Sequence, residues 1–172
     1  MVRLLRLIYD PRYRLCVALM YACGLRISEA ASLTTSQIDG QKGLLRIIGK
    51  GNKERLVPLP QSVLLQLREL WKKHRNPLWV FPGRQQTMPI QIKYVRRAFR
   101  MAAQSLGLPQ DVVPHSLRHT YATQLLEKGV ELRIVQILLG HSNLQSTTIY
   151  THLTEPGQER LRTLLNELMA GL

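Results

Sequence analysis

The sequence predicts a mostly helical α+β domain with one small antiparallel sheet in the N-terminal third. Leucine, valine and alanine recur every three or four residues through most of the chain. A single pair of apolar, β-branched runs flanks a glycine-rich turn. There is no internal repeat and no low-complexity linker, so the 172 residues are read as one well-cored domain.

Residues 1–10 form a basic, apolar lead-in. Asp10-Pro11 opens a helix whose apolar face is Leu15, Ala18, Leu19 and Ala22, and Gly24 ends it. Ser28 is a good N-cap for a short helix over Glu29–Leu33. Thr34–Asp39 is a polar loop with room for a turn. Leu44–Ile48 and Leu56-Val57 predict a hairpin closed by Gly49-Lys-Gly-Asn-Lys53. Val63, Leu64, Leu67, Leu70 and Trp71 predict a core-facing helix over Gln61–His74.

Trp79–Phe81 suits a short strand before the Pro82-Gly83 turn. Lys93–Leu106 is a helix with a basic side (Lys93, Arg96, Arg97, Arg100), stopped by Gly107. His115–Lys128 is the next helix, opened by Pro114 and capped by Gly129. Glu131–Leu139 follows and stops at Gly140. A short helix is placed over Thr147–His152, with Pro156-Gly157 breaking the pattern. The last helix runs from Gln158 to Ala170, with Leu161, Leu164, Leu165 and Leu168 on one face.

Hydrophobic residues make up 45% of the chain, which excludes wholesale disorder. Lys and Arg total 24 against 11 acids, a formal charge of +13. The basic residues sit beside glycine turns and helix starts instead of forming one tail. That distribution points to a polyanion, most simply nucleic acid, whose phosphates release counterions on neutralisation. Cys16 and Cys23 are seven residues apart on one helix, roughly 10 Å by helical rise, too far to bridge. Reduced, buried cysteines fit the cytoplasm. No apolar run reaches the ~20 residues that span a bilayer, and the interrupted N-terminal stretch is not a signal peptide.

Four clusters carry candidate chemistry. In Gly24-Leu-Arg-Ile-Ser-Glu29, Arg26 lies between two helices, where its planar fork can aim at two phosphate oxygens. Glu29 is three residues on and can hold a neighbouring cation; a plain surface ion pair between the two is the simpler alternative. In Gly49-Lys-Gly-Asn-Lys-Glu-Arg55, Lys50 at a hairpin tip can reach a groove or a phosphate, and can protonate a leaving oxygen if neighbouring cations lower its pKa. The spacing is not that of a nucleotide-binding P-loop.

His115 and Arg118 share a helical face one turn apart. His115 and His119 have the spacing of paired zinc ligands. A third ligand and an intervening base are missing, and Arg118 between them disfavours a cation, so no metal is assigned. His119 is expected to be packed or capping. His141 follows a helix-ending Gly140, and Tyr150 lies nine residues on among threonines. Arginines, imidazoles, a lysine and a phenol, without paired carboxylates, suit chemistry on a phosphate.

In order and spacing, Gly24–Glu29, Gly49-Lys-Gly, His115-Ser-Leu-Arg118-His119, Leu139-Gly-His141 and Tyr150 resemble the catalytic domain of the tyrosine recombinases, the phage-integrase family. The likeness is greatest to the bacterial Xer-like branch and its mobile-element relatives, and runs from about residue 10 to the end. It implies site-specific breakage and rejoining of double-stranded DNA through a 3′-phosphotyrosyl link, with no cofactor. It also implies roles. Arg26 and Arg118 would be the catalytic arginines, Glu29 the acidic support, and Lys50 the hairpin lysine. His115 would be the histidine of the His-x-x-Arg pair, His141 the later histidine, and Tyr150 the nucleophile.

Family members usually carry an N-terminal helical domain that clamps the far side of the DNA. The resemblance therefore implies a single catalytic domain over residues 1–172 without that core-binding domain, either a catalytic fragment or a naturally minimal enzyme. The segment 158–172 would be a docking helix, supporting self-association into a dimer or tetramer on DNA, or else would pack in cis. A type IB topoisomerase shares much of this residue set, and a non-catalytic DNA-binding accessory protein derived from an integrase is the alternative from another class.

Overall fold

The computed structural model describes residues 1–49, 54–140 and 155–169. Its central element is helix α2 (Pro11–Ala22), in which every residue from Leu15 to Ala22 is buried. A helix apolar on all sides must be enclosed, and α2 is packed by α1 (Val2–Arg6), α3 (Ile27–Ala31), α4 (Gln61–His74), α5 (Ile92–Ser105) and α6 (Pro114–Glu127). The one-sided face expected from Leu15, Ala18, Leu19 and Ala22 therefore understates the burial. Asp10 caps α2, accepting from the Arg12 amide at 2.8 Å. The Arg12 side chain then bonds Asp10 and the carbonyl of Pro82, tying the start of the helix to a distant loop.

Three strands form an antiparallel sheet in the order β1 (Ile38–Asp39), β2 (Leu44–Ile48), β3 (Glu54–Pro58). Leu45 pairs with Val57 and Ile47 with Arg55, so these four side chains belong to the buried face. The polar stretch before it holds a 3₁₀ turn over Thr35–Gln37 as well as β1. The expected strand at Trp79–Phe81 does not form. Trp79 makes only an isolated bridge to Thr34, because the loop is organised by Asn76 instead. The buried Asn76 carboxamide accepts from the amides of Leu78 and Trp79 and donates to the carbonyl of Gln86.

The lead-in contains a helix, α1, that buries Leu4 and Leu5 and leaves Arg3 and Arg6 outward. Helix α3 begins one residue after Arg26, earlier than the cap predicted at Ser28. Helix α7 (Leu132–Leu139) ends at Gly140 in the left-handed region, φ 69°. The last helix, α8 (Glu155–Leu168), starts earlier than expected and contains Pro156-Gly157. Proline in a first turn forfeits no intrahelical bond, so the pair does not break the helix.

In α8, Leu161 and Leu165 are buried against Tyr121, Leu125, Val135 and Leu138 of α6 and α7. Asn166 accepts from the Gln61 amide at 3.0 Å, anchoring α8 to the start of α4. The apolar face read as a docking surface is thus seated within its own chain. The hairpin turn 50–53 and the short helix expected at Thr147–His152 lie outside the described residues. No helix among the described residues is long and apolar enough to cross a membrane.

Candidate active site

The site is built where four chain segments meet: the start of α3, strand β3, the first turns of α6 and the end of α7. Gly24 turns the chain from α2 toward α3 at φ +62°, and a Cβ there would stand 2.6 Å from the Tyr121 ring. Both facts require glycine. The turn places Arg26 just ahead of α3. Glu29, one turn on, folds back so that its carboxylate accepts from the Arg26 amide at 2.7 Å and from the Arg26 guanidinium at 2.9 Å. The Arg26 side chain remains 42% exposed, so it keeps donors for a ligand.

The other side of the Glu29 carboxylate is held by Arg55, at 2.7 and 2.9 Å in a two-pronged contact. Burial pushes the Glu29 carboxyl up, but the bonds from Arg55 and Arg26 outweigh it and hold the group below the usual range. Arg55 also donates from Nε to the carbonyl of Leu138 at 2.8 Å. Arg118, on the buried side of α6, donates to the carbonyls of Gly24, at 2.5 Å, and Leu139. Two guanidinium groups thus satisfy the last carbonyls of α7, which no intrahelical donor reaches and which carry the helix's negative end. Burial, then the nearby Arg26 and Arg55, push Arg118 down to about 10, which leaves it cationic at neutral pH.

His115 lies in the first turn of α6 and is exposed, with His119 edge-on to it at a centroid distance of 4.9 Å. Desolvation, then His119, Arg118 and Arg26, hold its imidazole below the usual range, so the neutral form prevails at pH 7. His119 is itself exposed, not packed or capping as the sequence suggested. The α6 start is capped by Ser116, which accepts from the Val113 amide.

The structure therefore brings together Arg26, Glu29, Arg118 and His115, and the bond from Arg118 to Gly24 closes a span of 94 residues. Lys50, His141 and Tyr150 lie outside the described residues. Arg55 was missed as a site residue because it was read as part of a basic turn. Its signal is the alternation of β3: it shares the inward face with Val57, and an arginine at a core position requires an acid. Among the described residues, three arginines surround one carboxylate, leaving the corner with excess positive charge.

That pairing has a stability consequence. Glu29→Gln strands the buried Arg55 and is expected to lower the unfolding free energy at neutral pH by about 3–5 kcal/mol. A carboxyl held below the ordinary 4.5 contributes stability that is full above 4.5 and is lost as pH falls through its lower, folded value. Urea titrations should show the gap between wild type and variant closing on the acid side. A constant gap would contradict the assignment.

The phage integrase family model matches residues 4–156. The tyrosine recombinase XerD of Shewanella oneidensis is 39% identical over 162 residues, covering 88% of this chain and 54% of that protein. XerD of Lacticaseibacillus casei is 43% identical over 153 residues, covering 83% and 51%. Among solved structures, the integrase from mycobacterium phage Brujita superposes with TM-score 0.76 at 29% identity, covering 95% of this chain and 54% of that one. The XerH site-specific recombinase bound to a palindromic difH substrate gives TM-score 0.72 at 27% identity, with 92% and 49% covered. The chain spans about half the length of the relatives it matches.

Proposed function

The chain belongs to the phage integrase family, and from that premise we propose that it is a site-specific DNA recombinase acting through a 3′-phosphotyrosyl intermediate. Tyr150 Oη attacks a backbone phosphorus, the bond to the 5′-oxygen breaks, and a 5′-hydroxyl leaves. Arg26 and Arg118 neutralise the non-bridging oxygens as charge gathers in the transition state. Lys50 protonates the departing 5′-oxygen, and neutral His115 accepts the tyrosine proton. His141 hydrogen-bonds the phosphate, and Glu29 fixes Arg26. The tyrosyl ester preserves the energy of the original diester, so the 5′-hydroxyl of another duplex reverses the step without ATP.

The observation that carries this reading is the cluster of Arg26, Arg118 and His115 at one cationic corner. An excess of guanidinium over carboxylate is what a phosphodiester completes. Double-stranded DNA is the proposed partner, and the exposed side of α5, with Lys93, Arg96, Arg97 and Arg100, extends the positive surface that would track its backbone. Self-association on DNA belongs to the same proposal. It would have α8 exchange its seat on α4, α6 and α7 for the equivalent seat on a neighbour.

The test is trapping on nicked duplexes made from genomic fragments. The nick lets a short strand diffuse away and strands the protein on its DNA. In EDTA, a protease-sensitive covalent adduct is expected on a denaturing gel, and sequencing of the captured DNA gives the site. Adducts that require added metal, or no adduct with any fragment, would refute the proposal.

A further inference from the structure

Arg55 is an arginine in the core, 2% exposed, with its Nε–H, Nη1 and Nη2 donating to three different oxygens. All three of these contacts are to the protein itself. They join parts that the chemistry needs in register. Each oxygen of Glu29 is shared, Oε1 between the Arg55 and Arg26 guanidinium groups, Oε2 between Arg55 and the Arg26 amide. Where Arg55 holds the carboxylate is therefore where Arg26 must sit.

The third donor grips Leu138, three residues before His141. Gly140 passes so close that a Cβ there would stand 3.0 Å from Arg55 Cδ. Arg55 also lies in strand β3, paired with Ile47, its neighbour Glu54 pairing with Ile48. One carboxylate thus links an arginine held in the core to an arginine that is partly exposed.

We propose that Arg55 is a positioning residue for DNA cleavage: through Glu29 it sets the Arg26 guanidinium against the scissile phosphate. The inference rests on the recombinase reading above. Lysine would keep the charge but lose the rigid fork that grips Glu29 and Leu138 together. Arg55→Lys should therefore fold and bind DNA yet misplace Arg26.

The distinguishing readout is the charge of the phosphate. Single-turnover adduct formation is compared on an ordinary duplex and on one with a scissile methylphosphonate, which is neutral and demands less from a cation. Arg55→Lys is expected to slow the ordinary substrate about 10- to 100-fold, the usual cost of losing an orienting partner. The slowing should largely vanish on the methylphosphonate.

Equal slowing on both substrates would make Arg55 merely structural and overturn the proposal, as would a wild-type rate on the ordinary one. If wild type itself forms no adduct on either, the recombinase reading fails and the inference with it. The paired change Glu29→Leu with Arg55→Met guards against misfolding, since it removes both partners of the buried pair instead of stranding one of them. It should give the same selective loss, and uniform loss would again count against the proposal.

Discussion

Tyr150→Phe is expected to abolish covalent protein–DNA adducts while leaving DNA affinity nearly unchanged. The substitution removes one oxygen and no charge. If that oxygen forms the new bond to phosphorus, the covalent step has no substitute, and a loss on the order of 10⁶-fold is the scale for deleting a nucleophile. Binding has another source. Affinity for duplex DNA comes chiefly from lysines and arginines on phosphates, and the excess of 24 basic over 11 acidic residues is untouched. A gel-shift titration at one fixed salt concentration should superpose for the two proteins, while the denaturing gel shows an adduct for wild type alone. Adducts that survive the change would assign the chemistry to another side chain. A parallel loss of binding would instead make Tyr150 a contact residue.

Much of the fold was legible because local physics decided it. Helices α4, α5 and α6 bury one stripe each, and Gly107, Gly129 and Gly140 stop α5, α6 and α7 with positive φ. What escaped depended on partners distant in sequence. Helix α1 has only five residues and no side-chain cap, and it exists because Leu4 and Leu5 have a core to enter. The loop after α4 looked like a strand because Trp79–Phe81 is apolar, but Asn76 takes up the amides of Leu78 and Trp79. The early start of α8 was hidden by reading Pro156-Gly157 as a break when it occupies a first turn.

The site divides in the same way. Arg26 and Glu29 are three residues apart, so their contact follows from helical spacing alone. The bonds of Arg55 reach Glu29 across 26 residues and Leu138 across 83, and no periodicity forecasts those. Arg118 was read from the sequence as a substrate ligand. Its second task, capping α7, becomes visible only once Gly24 and Leu139 are beside it.

That double role makes Arg118→Ala the second large effect, and one that separates two energies. Removing the guanidinium takes a cation from the developing negative charge, expected to slow adduct formation about 10²- to 10³-fold, the range for one preorganised donor. It also leaves the carbonyls of Gly24 and Leu139 without their donors, at about 1–3 kcal/mol for a buried group left unmade. The signs differ once an anion is present. Arg118 is buried beside Arg26 and Arg55 with one carboxylate among them, so its charge is held against burial and then against like charge. A bound anion relieves that repulsion and stabilises the folded state by linkage. Sulfate should therefore raise the unfolding midpoint of wild type more than that of Arg118→Ala. The rate loss should persist at temperatures where both proteins are folded. An equal response to sulfate would place the anion site elsewhere, and a variant as fast as wild type would reduce Arg118 to a helix cap.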